Sequence, residues 1–501
     1  MEPGRDVETE RKFDVARPEL PPPLQDVPGV DTVDAPEEHQ LEAQYFDSPD
    51  LVLASHTITL RRRTGGDDAG WHLKLPLGAD SRRELREPLG SGDSPPEALT
   101  QWISVHLRGR ELVPVARLTT IRIVHRLRGP DDAVQAEVSD DRVHAEPLLP
   151  GQAGHDWREW EVELVHGGHE LLDAVQKRFA TVGVYPATYA SKLGRALGGL
   201  YPEPASESYP DRGRTAGGVL RAYVDANVSA LLEQDPLVRD HAPDAVHQMR
   251  VATRRLRSAL ATHRRVLESG PDTALRAELK WLAGVLGEVR DTEVMRERLR
   301  DLLAAEPADL VMGPVARRVE EDLSADYSAG YTSLLETMNQ KRYFQLLDGL
   351  EAFRDHPPLT TRAAKKPKTV GAAIGKDGKR LRRAVKAAAS KRGTPASDET
   401  LHEARKAAKR LRYAAEAAAV VDDEHARLLE KAAHGIQKIL GRHQDSVVAR
   451  DVLRRLAAEA FLQGENAFTY GRLHALEQNQ ADQSESEFHH DWTTFPGKLL
   501  K

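Results

Sequence analysis

The chain has 501 residues, 40% of them hydrophobic and 30% charged, with a net charge of −7 and no cysteine. That length exceeds what one hydrophobic core usually supports, so two or three domains are expected. Without thiols there is no disulfide framework, thiolate metal site or cysteine nucleophile, and with no uncharged apolar run near the ~18–20 residues that span a bilayer, a soluble cytoplasmic protein is expected.

The first element, Glu8-Thr-Glu10-Arg-Lys12, alternates, and a strand sends every second side chain to one face. Glu8, Glu10 and Lys12 therefore share a face, opposite Val7 and Phe13. Short strands are expected at residues 8–15, 58–63, 70–75, 119–127, 134–140 and 159–165, separated by Gly, Pro and Asp. The same parity pairs Arg61 with Arg63, His72 with Lys74, Arg122 with Arg126 and Glu137 with Asp141, and it groups Glu159, Glu161 and Glu163. Solvated strand faces usually mix signs, whereas each of these carries charge of largely one sign. An antiparallel barrel with the charges inside resolves the pattern, with carboxylates on one wall and Arg and Lys on the other. Carboxylate oxygens suit Mg²⁺ or Mn²⁺, and guanidinium forks suit phosphate oxygens, so the expected occupant is a metal-bound polyphosphate.

These residues resemble the CYTH superfamily, the triphosphate tunnel metalloenzymes. Glu8-x-Glu10-x-Lys12 matches its N-terminal signature, and the likeness continues through Leu60-Arg61-x-Arg63, Leu73-Lys74, Glu137 with Asp141, Glu159-x-Glu161 and Ser191-Lys192. The resemblance implies an eight-stranded antiparallel tunnel that hydrolyses a terminal phosphoanhydride. Glu8, Glu10, Asp141, Glu159 and Glu161 match the family's metal-binding carboxylates. Lys12, Arg61, Arg63, Lys74, Arg122 and Lys192 match its substrate-phosphate cations, and Arg126 shares a face with them. Glu8, Glu10 and Lys12 are the expected catalytic residues, with Lys12 either a base or a holder of phosphate. Two positions stay open: Asp140 adjoins Asp141 and could replace it, and Glu84 or Glu87 could fill a further acidic position.

Pro202, Pro204 and Pro210, among Ser, Glu and Gly, mark a linker at 199–213 between domains at 1–198 and 214–501. The second domain is expected to be helical, with Ala, Leu, Arg and Glu dominating. From Arg362 to Arg412 basic residues swamp acidic ones, including Lys365, Lys366, Lys368, Lys376, Lys379, Arg380, Arg382 and Arg383, which predicts a polyanion partner.

This zone repeats itself. His247-x-x-Arg250, continuing to Arg254-Arg255-Leu256-Arg257, matches His402-x-x-Arg405, continuing to Lys409-Arg410-Leu411-Arg412, and Leu286-Gly287 with Asp291 matches Leu440-Gly441 with Asp445. Two motifs in one order at nearly one spacing predict an internal duplication, each half a bundle of about four helices. His247, Arg250, Arg254 and Arg257 fall on one helical stripe, as do His402, Arg405, Lys409 and Arg412, flanked by Arg255, Lys406 and Arg410. The stripes carry no aromatic or amide side chains to stack or read bases, which disfavours nucleic acid. The repeats resemble the CHAD family of basic helical domains, and that likeness implies two pseudo-symmetric four-helix bundles around a groove for inorganic polyphosphate.

The expectation is thus an α+β multidomain protein acting as a metal-dependent inorganic triphosphatase, with a helical domain that binds polyphosphate and could place the protein on polyphosphate granules. Two alternatives are a non-catalytic granule scaffold and an enzyme like the class IV adenylyl cyclases, which share the tunnel.

Overall fold

In a computed structural model the protein is described at residues 4–16, 20–78, 80–202, 215–268, 270–365, 371–419 and 424–497. Most of the expected linker, with Lys366 and Lys368, lies outside the described residues. The chain divides into two compact units, Met1–Glu207 and Ser208–Lys501.

The first unit is built on strands β1 (Gly4–Asp14), β2 (Thr32–Val33), β3 (Glu37–Asp47), β4 (Thr59–Thr64), β5 (Gly70–Pro76), β6 (Ser81–Glu87), β7 (Val113–Arg128), β8 (Val134–Pro147), β9 (His155–Leu164) and β10 (Tyr185–Pro186). Eight of them close a fully antiparallel barrel in the order β1-β6-β5-β4-β3-β7-β8-β9, with β9 returning to β1. Closure works because β1 is staggered: Gly4–Thr9 pairs with β6, and Glu10–Asp14 pairs with β9. β2 and β10 patch the rim. Two strands absent from the sequence reading, β3 and β6, complete the eight.

Alternation explains both faces of the wall. Outward residues Phe13, Val138, Trp160 and Val162 are buried beneath α3 (His169–Ala180), whose Leu171, Leu172, Val175 and Phe179 meet them. Phe13 and Phe179 pack edge to face with ring centroids 5.0 Å apart, worth about 0.5–1.5 kcal/mol beyond burial. Inward residues near the start of β7 and the ends of β3 and β8 turn apolar, with Tyr45, Leu118, Val143 and Ala145 all buried. They pack with Leu193, Ala196 and Leu197 of α4 (Lys192–Leu197). Two further helices, α1 (Val52–Ser55) and α2 (Glu97–Leu107), complete the unit.

The second unit is all helix among its described elements: α5 (Ala216–Arg239), α6 (Ala245–Thr262), α7 (Pro271–Ala304), α8 (Val315–Met338), α9 (Lys341–Asp355), α10 (Gly371–Lys391), α11 (Ser397–Ala419), α12 (Glu424–Leu462) and α13 (Phe468–Thr494), with short 3₁₀ turns between. Helices α5–α8 and α10–α13 repeat one arrangement, and α9 is an addition to the first half that packs on α5 and α7. The halves share a core. At 34 and 39 residues, α7 and α12 outrun α6 and α11, which have 18 and 23. At 1.5 Å per residue the excess is roughly 24 Å in each half. The apolar ends this leaves bare cover one another: Met295 and Leu299 of α7 and Val319 and Leu323 of α8 pack with Leu453 and Leu456 of α12 and Leu473 of α13. No described helix is long and apolar enough to cross a membrane.

Candidate functional site

The lumen of the barrel holds a cavity of ≈ 320 Å³ lined mostly by charged residues. Register sorts the signs. β8, β9 and β1 are neighbours, so Glu137, Asp141, Glu159, Glu161, Glu163, Glu8 and Glu10 form one acidic arc. β6, β5, β4 and β7 carry Arg82, Arg86, Lys74, Arg61, Arg63, Arg122 and Arg126 on the other. Where the arcs meet, opposite charges sit directly across strand pairs, Glu8 facing Arg82, Arg122 facing Asp141 and Arg126 facing Glu137, and within the acidic arc Lys12 faces Glu161, the arrangement that cross-strand pairing favours.

Glu161 of the cavity wall belongs to the acidic triad Asp141, Glu159 and Glu161, all buried, with carboxylate oxygens within 4.8 Å of one another. The Lys192 ammonium sits among them, 2.8 Å from Asp141, 2.8 Å from Glu159 and 2.5 Å from Glu161. α4 aims it there, because Ser191 caps the helix by accepting a hydrogen bond from Gly194 N at 3.0 Å, which fixes Lys192 at the first turn. Arg122 closes the cluster from β7, donating through Nε and Nη2 to Asp141 at 2.8 and 2.6 Å and to Glu161 at 2.5 Å. Lys12 donates to Glu10 at 2.8 Å and to Glu161, and Lys74 donates to Glu8 at 2.6 Å.

Burial alone would raise these carboxylate pKa values, but the cations outweigh it. Lys12, Lys192 and Arg122 hold Glu161 well below its ordinary value, Arg122 and Lys192 lower Asp141, and Lys12 with Lys74 lowers Glu10 to about 2. Burial would lower Lys12, yet Glu10 and Glu161 raise it above its ordinary value, which keeps it an ammonium. A raised lysine is a poor base. On the cationic arc burial wins at Arg63, which is lowered to about 9 by desolvation, with Arg61 and Arg122 adding repulsion, whereas nearby acids raise Arg61 and Arg122. The buried Nε atoms of Arg61 and Arg63 have no hydrogen-bond partner. Orphaned donors of this kind mark room for an acceptor.

The barrel orients the residues at both open positions. Asp141 points inward, whereas Asp140 points outward and accepts from Arg158 at 2.7 Å through both oxygens. Glu84 lies inside, accepting from His72 Nδ1 at 2.9 Å and from Arg86 Nε at 2.6 Å, and lies 3.8 Å from Lys74. Arg82 and Arg86 escaped the sequence reading. They share the parity of Glu84, so the alternation Arg82, Glu84, Arg86 was the available signal.

In the helical unit α6 and α11 lie against each other and bring the two stripes together. Arg254 is half-buried and lowered to about 10, first by burial and then by Arg250, Arg257 and Arg405, so the two stripes feel one another. Burial together with Arg290 and Arg250 lowers His247. His402 Nδ1 lies 2.5 Å from Gln444 Oε1. The glycines lie against the stripes: a Cβ on Gly287 would make van der Waals contact with the Arg250 guanidinium at 3.4 Å, and one on Gly441 with Arg405 Nε at 3.9 Å. Asp291 accepts from Arg250 at 2.8 Å. Nε atoms of Arg250 and Arg405 are buried without hydrogen-bond partners. Other members are partly spoken for: Arg255 pairs with Glu416 at 2.7 Å, Arg412 with Glu430 at 3.4 Å, and exposed Lys406 with Glu403. Lys409 is half-buried and Arg410 exposed.

Comparison with known proteins gives residues 6–192 as a match to the CYTH domain and residues 222–454 as a match to the CHAD domain. Uncharacterized proteins from two strains of Mycobacterium tuberculosis are 39% identical over 498 residues, covering 96% of this chain and 94% of theirs. Among solved structures, PptA from Streptomyces chartreusis is similar at 22% identity and a TM-score of 0.47, covering 56% of this chain and 99% of its own. The CHAD domain from the plant Ricinus communis is similar at 26% identity and a TM-score of 0.43, over 57% and 96%. A candidate adenylyl cyclase from Hippeastrum, described as having a dominant triphosphatase activity, is similar at 16% identity and a TM-score of 0.27, over 38% and 96%.

Proposed function

This chain belongs to the family that joins a CYTH domain to a CHAD domain, and on that footing we propose that it is a metal-dependent triphosphatase acting on inorganic tripolyphosphate, with a helical unit that binds polyphosphate. The observation that carries the reading is the facing of two arcs in one lumen, a carboxylate triad opposite arginines with orphaned donors.

The triad fits a hard divalent ion. It is all oxygen and compact; Lys192, Arg122 and Lys12 balance its charge, and a divalent ion would take over carboxylate oxygens that these cations now hold. Such an ion, Mg²⁺ or Mn²⁺, would neutralise phosphate oxygens and lower the pKa of a bound water. Glu8 and Glu10 border the triad and would complete its acidic surroundings. Arg61, Arg63, Lys74, Arg122 and Arg126 would fix the phosphate oxygens, and Lys12 and Lys192 would hold charge at the reacting phosphate. Water would replace the diphosphate leaving group at the terminal phosphorus, which requires an in-line approach and neutralised equatorial oxygens. Each well-placed donor is worth about 2.7–4 kcal/mol, judged from comparable electrostatic sites.

Phosphate release from tripolyphosphate, ATP and thiamine triphosphate, with Mg²⁺ or Mn²⁺ and then with EDTA, tests the reading. Chelator should abolish release, and tripolyphosphate should give the highest rate. Full turnover in EDTA, or no release from any triphosphate, would overturn it.

A further inference from the structure

The basic run ahead of the second repeat is left over once the α6 and α11 stripes are assigned, and its members Lys376, Lys379, Arg380, Arg382 and Arg383 lie on α10. Seven cations and one carboxylate lie in that helix, whereas its counterpart α5 carries two cations and three carboxylates. What the duplicated fold requires should appear in both halves, so the charge on α10 answers to something else.

Packing says the same. Leu381, Val385 and Ala388 of α10 are buried in the second-half core, and the opposite face is exposed. On it stand Lys376, Lys379, Arg383 and Lys386, at the 0, 3, 7, 10 spacing of the stripes on α6 and α11. They span about 15 Å of helix. Among the described residues Lys376, Lys379 and Lys386 have no carboxylate partner, and Arg383 makes only a long hydrogen bond to the Lys379 carbonyl, at 3.4 Å. On α5 the corresponding region is covered by α9 and by the turn at Thr361–Ala364, where Ala363 lies against Gly217. The charges acting most strongly on Arg254 and Arg257 belong to α6, α7 and α11, none to α10, which makes the outer stripe a separate surface.

We propose that the outward face of α10 is a second binding surface for a phosphate chain, distinct from the α6–α11 stripes. The inference rests on the reading that the helical unit binds polyphosphate. Uncompensated cations at i,i+3 and i,i+4 each cost a few tenths of a kcal/mol, so a run of them calls for a polyanion. The helix has no aromatic, Asn or Gln residue, so it cannot stack or read bases. Its apolar face is inside the bundle, so it cannot insert into a bilayer. A bare phosphate chain needs only charge on flexible stems, which lysine supplies. Two surfaces on one domain let a long chain engage twice, with an avidity that a short chain cannot reach.

The test uses the full chain. Binding of long-chain polyphosphate and of tripolyphosphate is measured between 50 and 200 mM salt for the wild type, for Lys379→Glu/Arg383→Glu/Lys386→Glu, and for the milder Lys379→Gln/Lys386→Gln. By analogy with single-stranded nucleic acids, losing three phosphate contacts should lower the salt slope by about 2. The reversal variant should therefore lose long-chain affinity at least tenfold at the lower salt, the amide variant should lose less, and tripolyphosphate affinity should be unchanged in both. Wild-type binding with an unchanged slope in both variants would overturn the α10 surface alone. Equal losses for long-chain polyphosphate and for single-stranded DNA of equal charge would reassign it to nucleic acid and overturn it too. A wild type that fails to bind any polyphosphate would overturn both this surface and the reading beneath it.

Discussion

Glu161 is the residue on which the lumen turns, because Lys12, Lys192 and Arg122 all converge on it. Glu161→Gln keeps the shape, removes the charge that holds three cations in place, and takes one oxygen from the triad. Hydrolysis should fall by ~10²–10³, the loss typical of one electrostatic contact, while polyphosphate binding by the full chain should stay within about twofold. Activity above a tenth of wild type would contradict its place in the centre. Two buried histidines make a separate residue-scale prediction. Burial lowers His106 to about 3, helped by His56 and Arg108, and it lowers His72 to about 4 against the opposing hydrogen bond to Glu84. Both are neutral in the fold and bind protons near pH 6.5 once unfolded. Stability should therefore be complete above about pH 6.5 and decline as the pH falls toward 4, with a few kcal/mol at stake. Thermal melts from pH 7.5 to 5 should show the decline, and His106→Gln should flatten it. A melting temperature independent of pH over that range would refute the assignment.

At the scale of elements, strand parity made most of the lumen legible. Glu8, Glu10, Lys12, Arg61, Arg63, Lys74, Arg122 and Glu161 could be read from alternation because apolar neighbours mark the other face. Parity failed where both faces are charged. Ser81–Glu87 has Leu85 as its one apolar side chain, so Glu84 could not be told from Glu87, and Arg82 and Arg86 passed unnoticed. The inward turn of Asp141 rather than Asp140 depends on its register with Arg122, a cross-strand fact. On the helices, spacing revealed both stripes but not that Gly287 and Gly441 lie against Arg250 and Arg405 of a neighbouring helix. That contact is testable. Gly→Ala in a helix should add about 0.5–1 kcal/mol of stability, whereas Gly287→Leu or Gly441→Leu should push the stripe arginine aside. Polyphosphate affinity of the leucine variants should fall severalfold without a drop in melting temperature. Unchanged affinity would mean the glycines do not seat Arg250 and Arg405.

At the scale of the whole molecule, the duplication was visible in the sequence, but the shared core of α7, α8, α12 and α13 was not, since an apolar stripe says that a face is buried and not against what. The pairing of α6 with α11 makes the two stripes one surface in energetic terms. Arg250→Glu/Arg254→Glu and Arg405→Glu/Lys409→Glu should each weaken long-chain polyphosphate binding at least tenfold. Combined, they should fall short of additive loss, because neighbouring charges couple. Affinity should also rise as the pH falls from about 8 to 6, since a bound polyanion favours the protonated form of His247, which burial and its arginine neighbours disfavour in the free protein. Equal binding at the two pH values would remove His247 from the surface. Hydrolysis of a triphosphate by the facing arcs of the barrel, with a divalent ion in the triad, is checked by phosphate release from tripolyphosphate with Mg²⁺ or Mn²⁺, comparing the wild type, the wild type in EDTA, and Glu161→Gln. Release by the wild type alone, restored after chelation by added metal, is the predicted result; equal release in all three would contradict it.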